Sequence, residues 1–182
     1  MLLVWDYDLT LTKIHTCSGV KLNTNEEPLE NFIADPELVK QTFLYQKMSG
    51  HDIAIASYGR YSDINTTLER LGIKVDHIVT PDKIREIYHT NWYDGYAPPC
   101  GVNKVLMLNH LATITGYSTR DIILIDDSWA NILDAQKSGY TAIWMKEPYS
   151  KALYEKLNIE LLQMTTAWPK LCVRLLKSIC LP

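Results

Sequence analysis

The chain has 182 residues, 47% of them hydrophobic, which is enough apolar content for one globular domain with a sizeable core. Its formal net charge of -3 carries no polyanion-binding signature, so nucleic acid is not an expected partner. Four cysteines (Cys17, Cys100, Cys172 and Cys180) are scattered without a Cys-x-x-Cys pair, which argues against a zinc knuckle or dithiol redox motif and for free thiols in a cytoplasmic setting.

The chain opens on Leu2-Leu3-Val4-Trp5, a short continuous apolar run that reads as a buried parallel strand. No basic region precedes it and Asp6 interrupts it, so neither a signal peptide nor a membrane span is expected here. The run feeds into Asp6-Tyr7-Asp8, with Thr10 two residues further on. Paired carboxylates at the rim of a sheet are costly unless a cation neutralises them, so the pattern points to a divalent metal and to chemistry on one aspartate. Residues 11–34 lack periodicity and read as an irregular flap behind these acids. His15 and Cys17, without a partner at ligand spacing, are taken as ordinary loop residues.

Asp35-Pro36 predicts a helix start, with Leu38, Phe43, Leu44 and Met48 as its apolar face and Gly50 as its end. Ile53–Ala56 is a second buried strand, followed by Ser57-Tyr58-Gly59-Arg60. A small hydroxyl beside glycine at a strand tip suits a phosphate; the competing reading of Ser57 is a cap for the next helix. That helix spans 61–71, with Ile64, Leu68 and Leu71 inward, and residues 75–79 form a third strand. Residues 81–101 are irregular and rich in aromatics (Tyr88, Trp92, Tyr93, Tyr96), with one or two helical turns over Lys83–His89. Such a loop serves as a substrate platform or as a covering for a sheet edge, and both readings stay open.

A helix over Val102–Ile114 follows, with Lys104 in its first turn. The helix dipole disfavours a lysine there, which hints at an anionic partner. Thr119–Ile125 is a fourth strand ending in Asp126-Asp127-Ser128, with Asn131 beyond; Trp129–Lys137 is a helix and Tyr140–Met145 a fifth strand. Residues 149–182 read as a mostly helical extension to a core of residues 1–148. The last stretch, from Trp168, is amphipathic and basic. It is expected to dock on the core, and contact with a membrane surface or a partner is the alternative.

Strands alternating with helices imply a Rossmann-like three-layer α/β/α sandwich with a central parallel sheet. In such sheets ligands bind outside the carboxyl ends of the strands. Asp6/Asp8, Ser57, Lys104 and Asp126/Asp127 fall in order on that edge.

This ordered set resembles the four motifs of the haloacid dehalogenase-like superfamily. Asp6-Tyr7-Asp8-Leu9-Thr10 looks like the first, Ser57 the second, Lys104 the third, and Asp126-Asp127 with Ser128 and Asn131 the fourth. The resemblance implies a phosphatase in which Asp6 is the nucleophile and forms an aspartyl-phosphate, while Asp8 is the general acid and then the base. It implies Mg²⁺ held by Asp6, the backbone carbonyl of Asp8, and Asp126/Asp127, with the order of the last two left open. Ser57 and Lys104 would bind the transferring phosphoryl oxygens, and Thr10 would orient the Asp8 region. Dehalogenases of the superfamily lack an acid two residues after the nucleophile, so Asp8 favours phosphoryl transfer.

Neither inter-motif gap has room for a large cap domain. The build is similar to capless members such as magnesium-dependent phosphatase-1 and related protein tyrosine phosphatases. An open site suits a phosphorylated protein, phosphotyrosine above phosphoserine, with Tyr58 and Arg60 as further substrate contacts. Alternatives are a small-metabolite phosphatase and a non-catalytic binding module on the same fold. The location would be cytoplasmic, or a host cell's cytoplasm for a secreted bacterial effector.

Overall fold

The computed structural model describes residues 1–15, 26–88 and 102–146, all within one compact unit, Met1–Ser150. The elements run β1 (Leu2–Trp5), α1 (Leu29–Phe32), α2 (Pro36–Met48), β2 (Asp52–Ala56), α3 (Tyr61–Leu71), β3 (His77–Val79), α4 (Pro81–Tyr88), α5 (Lys104–Thr115), β4 (Ile122–Asp126), α6 (Trp129–Lys137) and β5 (Thr141–Trp144). The five strands form one parallel sheet in the order β3-β2-β1-β4-β5. Every residue of β1 is buried, as a central parallel strand covered on both faces requires. Strand order reverses between β1 and β4, and a crevice outside the carboxyl ends at such a point is where these sheets take ligands.

Side chains alternate between the two faces of the sheet. Leu2, Val4, Ala56 and Leu124 join Met107, Leu108 and Leu111 of α5 and Ile132 and Ala135 of α6 in one core. Trp5 points the other way, its ring 5.3 Å from that of Phe43 on α2. Its indole N–H donates to Gln46 Oε1 at 3.1 Å, so the buried polar atom is satisfied. Truncating either ring to alanine costs about 3–5 kcal/mol by the usual cavity penalty. The result is the expected three-layer α/β/α sandwich, and among the described residues no second domain covers the carboxyl edge of the sheet.

Local signals set several boundaries. Asp35 caps α2 by accepting Leu38 N–H at 2.9 Å, with Pro36 in the first turn. Asn103 caps α5 by accepting Leu106 N–H at 2.8 Å, which makes Lys104 the first helical residue. Gly72 ends α3 at φ 67°, the left-handed conformation glycine adopts without penalty.

Some expectations are corrected. The buried face of α2 is Val39, Thr42, Phe43 and Gln46, whereas Leu44 and Met48 are 59% and 75% exposed. A residue set spaced three and four apart makes one face, and Leu44 with Met48 falls on the opposite one. β3 starts at His77; Asp76, just before it, donates its N–H to Ile53 carbonyl at 2.8 Å and accepts Ile53 N–H on its carboxylate at 2.8 Å. Thr119–Asp121 is a 3-10 turn, so β4 begins later than expected and carries Asp126 as its last residue. The flap contains α1 and a bridge from Thr12 to Ile33, neither signalled by periodicity. α4 starts at Pro81 and is continuous. The extension over 149–182, Cys17, and the side chains of Tyr88, Trp92, Tyr93 and Tyr96 lie outside the described residues. Among the described residues no helix is long and apolar enough to cross a membrane.

Candidate active site

The parallel register sets Trp5 beside Ile125, and Asp6 N–H continues it by donating to Ile125 carbonyl at 2.8 Å. Asp6 and Asp126 are therefore neighbours on adjacent strand tips. Beyond Asp6 the chain turns tightly: Leu11 and Thr12 both donate N–H to Tyr7 carbonyl. Leu9, inside the turn, has φ 58°, the one left-handed non-glycine among the described residues, and its N–H donates to Thr12 Oγ1 at 3.1 Å. Tyr7 points away, its hydroxyl 2.8 Å from Thr67 Oγ1 on α3. Asp6 and Asp8 are both buried, at 5% and 6% exposure.

Lys104 is almost wholly enclosed in the site. It is 1% exposed, and its Nζ lies 2.7 Å from Asp6 Oδ1, 3.1 Å from Asp126 Oδ2 and 2.6 Å from Ala56 carbonyl. The Tyr58 ring adds a cation–π contact, 4.9 Å from Nζ to its centroid. Burial alone would lower the lysine's pKa, but Asp6 and Asp126 overcome it and hold the ammonium above its usual range. A buried charge of this kind persists only because it is paired and hydrogen-bonded.

The carboxylates outnumber their cation. Asp6, Asp126 and Asp127 can bring ligand oxygens within 4.8 Å of one another. Burial pushes the Asp6 carboxyl up to about 7, Lys104 opposing and Asp126 and Asp127 adding to the rise. Burial and then Asp126 also raise Asp127. Asp126 accepts from Ser128 N–H and from Asn131 Nδ2, as well as from Lys104. Asp127, less buried, has Thr10 Oγ1 at 3.4 Å from its Oδ1. One ammonium faces three carboxylates, a group whose oxygens could hold a divalent cation. An all-oxygen donor set fits a hard one.

Thr10 bridges the first and fourth clusters. Its Oγ1 accepts Asp127 N–H at 3.0 Å and has Asp6 Oδ2 and Asp127 Oδ1 each at 3.4 Å, so its one proton serves either carboxylate. Ser57 is buried at the tip of β2, its Oγ accepting Gly59 N–H at 3.1 Å. It is not the cap of α3; that position is Arg60, whose side chain makes no capping bond. Arg60 is largely exposed and paired with Asp63 at 2.8 Å. His15 is exposed on the flap. Trp144 was not singled out by sequence: its indole N–H donates to Asp127 carbonyl at 2.8 Å, from the carboxyl end of β5. Only its place on the neighbouring strand tip could have signalled it.

No protein-family model matches the chain, and no curated protein matches it. Solved structures do match in fold. An uncharacterized protein from Corynebacterium glutamicum aligns with TM-score 0.51 and 16% identity over 90% of this chain and 93% of that one. The D,D-heptose 1.7-bisphosphate phosphatase from B. bronchiseptica, complexed with magnesium and phosphate, aligns with TM-score 0.54 and 13% identity over 81% of each chain. The chain shares the fold of these two structures, a five-stranded parallel sheet in the order β3-β2-β1-β4-β5 between helices. Within that fold, the acidic cluster sits at the carboxyl edge of the sheet, where the strand order reverses between β1 and β4.

Proposed function

We propose that the chain is a Mg²⁺-dependent phosphatase that hydrolyses phosphate monoesters through an aspartyl-phosphate, acting on phosphoproteins and on phosphotyrosine foremost. The observation that carries this reading is the burial of Lys104 between Asp6 and Asp126 with Asp127 adjoining. It provides a carboxylate to act as nucleophile, a fixed cation, and oxygens that could hold a second cation in one place.

Asp6, the Asp8 carbonyl and Asp126 or Asp127 would hold the metal, with Asp127 favoured for a direct bond because Asp126 is already occupied by protein donors. When bound, magnesium supplies positive charge that keeps Asp6 ionised and offsets charge on the phosphoryl oxygens. An Asp6 oxygen attacks phosphorus, the phosphorus–ester oxygen bond breaks, and Asp8 gives its proton to the leaving oxygen. Asp8 then takes a proton from water as the water oxygen attacks phosphorus. The bond to Asp6 breaks, and inorganic phosphate and free Asp6 result. Lys104 and the Ser57 hydroxyl face the phosphoryl oxygens, where a preorganised ammonium is worth most in the transition state.

The absence of a second domain over the site among the described residues supports a macromolecular substrate. The Tyr58 ring beside Lys104 supports an aromatic ester. A small sugar phosphate, the class named for the B. bronchiseptica neighbour, is the alternative. Phosphate release from phosphotyrosine peptides, phosphoserine peptides and small esters, with Mg²⁺ or EDTA, for wild type and Asp6→Asn, tests the reading. The expected result is magnesium-dependent release, highest on phosphotyrosine and abolished in Asp6→Asn. Preference for small esters would move the substrate class, and no release from any ester by folded protein would favour a binding role.

A further inference from the structure

Trp129 follows directly on Asp126-Asp127-Ser128 as the first residue of α6 and is 49% exposed. Its ring centroid lies 4.7 Å from that of Trp144, with 46° between the planes. Trp144 is pinned in turn: its indole N–H donates to Asp127 carbonyl at 2.8 Å, and Lys146 Nζ lies 4.8 Å from its ring centroid. The two rings are thus fixed to the backbone of the residue whose carboxylate belongs to the acidic cluster. An exposed indole is not needed by the core, which α6 reaches through Ile132 and Ala135.

We infer that Trp129 and Trp144 form the leaving-group subsite and select phosphate esters whose leaving group is an aromatic ring. The inference rests on the phosphatase reading of the same site and names the surface that would give it its preference. Indole faces hold flat π-systems in offset or tilted contact. The Trp144 N–H is already spent on Asp127, so recognition there is through the ring face more than through hydrogen bonds to sugar hydroxyls. A ring bonded directly to the ester oxygen stays close to phosphorus, as the proximity of this pair to Asp127 demands.

The test uses the full chain with Mg²⁺ and two non-hydrolysable probes, phenylphosphonate and methylphosphonate, by calorimetry. Wild type is expected to bind the phenyl probe about fivefold tighter, the range one aromatic contact gives. Trp129→Ala should erase that preference while leaving the methylphosphonate Kd unchanged, and Trp129→Phe should restore most of it. The unchanged methylphosphonate Kd also shows that the variant is folded. No phenyl preference in wild type, or one that survives in Trp129→Ala, overturns the subsite alone. Failure of wild type to bind methylphosphonate, with no magnesium-dependent release from any ester, overturns the phosphatase reading and the subsite with it.

Discussion

Thr10 Oγ1 accepts the backbone N–H of Asp127 at 3.0 Å, fastening the turn after β1 to the turn after β4. The bond spans the point where strand order reverses, so one hydroxyl spaces the two halves of the acidic cluster. The resemblance gives Thr10 the task of orienting the Asp8 region, and its hydroxyl also lies 3.4 Å from Asp6 Oδ2 and from Asp127 Oδ1.

Thr10→Val keeps the shape and removes the hydroxyl, leaving a part-buried N–H unpaired. A loss of about 1–3 kcal/mol is expected in urea unfolding. The magnesium concentration for half-maximal phosphate release should rise about tenfold, the usual effect of removing a group that orients a ligand. Thr10→Ser should recover both. A Val variant with unaltered magnesium dependence would remove Thr10 from the metal's support.

The raised Asp6 carboxyl makes stability depend on pH. Its folded value, about 7, lies above the ordinary carboxyl value of 3.8, so the folded state binds the extra proton between them. The contribution is fully present below pH 4 and is lost as pH rises through 7. The metal-free protein should therefore lose on the order of a few kcal/mol across that window. Asp6→Asn should lack that part of the slope, and saturating magnesium should flatten it in wild type. Chemical denaturation at a series of pH values in EDTA checks this, and parallel slopes for the two proteins would contradict it.

Lys104→Met strands two buried carboxylates. Breaking a buried ion pair by deleting one partner costs about 3–5 kcal/mol. In an Asp6→Asn background the same change should cost clearly less, because one of the stranded charges is gone. A double-mutant cycle by urea unfolding with no coupling between the two positions would be inconsistent with the contact. Phosphate release should be lost in Lys104→Met whatever its stability.

Asp76 gives the opposite pH signature. Burial raises its carboxyl, but hydrogen bonds from Lys47 and from Ile53 N–H prevail and hold it below the usual range. Its contribution is present above the unfolded pKa and fades as pH falls through the lower folded value. The carboxylate is partly exposed, so screening limits the effect to about 1 kcal/mol. Asp76→Asn should reduce stability at pH 7 and should match wild type more closely near pH 2, read by thermal unfolding.

The strands and the acids at their tips were legible because both are local in sequence. An apolar run that stops at a carboxylate marks a buried strand and its rim, as in Leu2–Asp6 and Ile122–Asp127. Lys104 was legible as an anomaly of the helix dipole, and its two carboxylate partners account for the anomaly. What stayed hidden depends on long-range pairing. Nothing near Trp144 announces that its N–H meets Asp127, and nothing near Thr10 announces the same residue's backbone. The buried face of α2 was misjudged because Thr42 and Gln46 lie inward while apolar Leu44 and Met48 lie outward. Gln46 is inward because Trp5 needs an acceptor there.

The central position of β1 bears on how the chain comes off the ribosome. β1 precedes the other described strands, yet its β4 neighbour lies more than a hundred residues downstream. Until that strand emerges, one edge of Leu2–Trp5 has its hydrogen-bonding groups open, and such an edge recruits other strands. Closing the sheet is therefore a late, long-range event, the kind that slows folding and leaves nascent chains dependent on chaperones. The same event brings Asp126 to Asp6 and Lys104, so assembly of the acidic cluster and protection from aggregation arrive together.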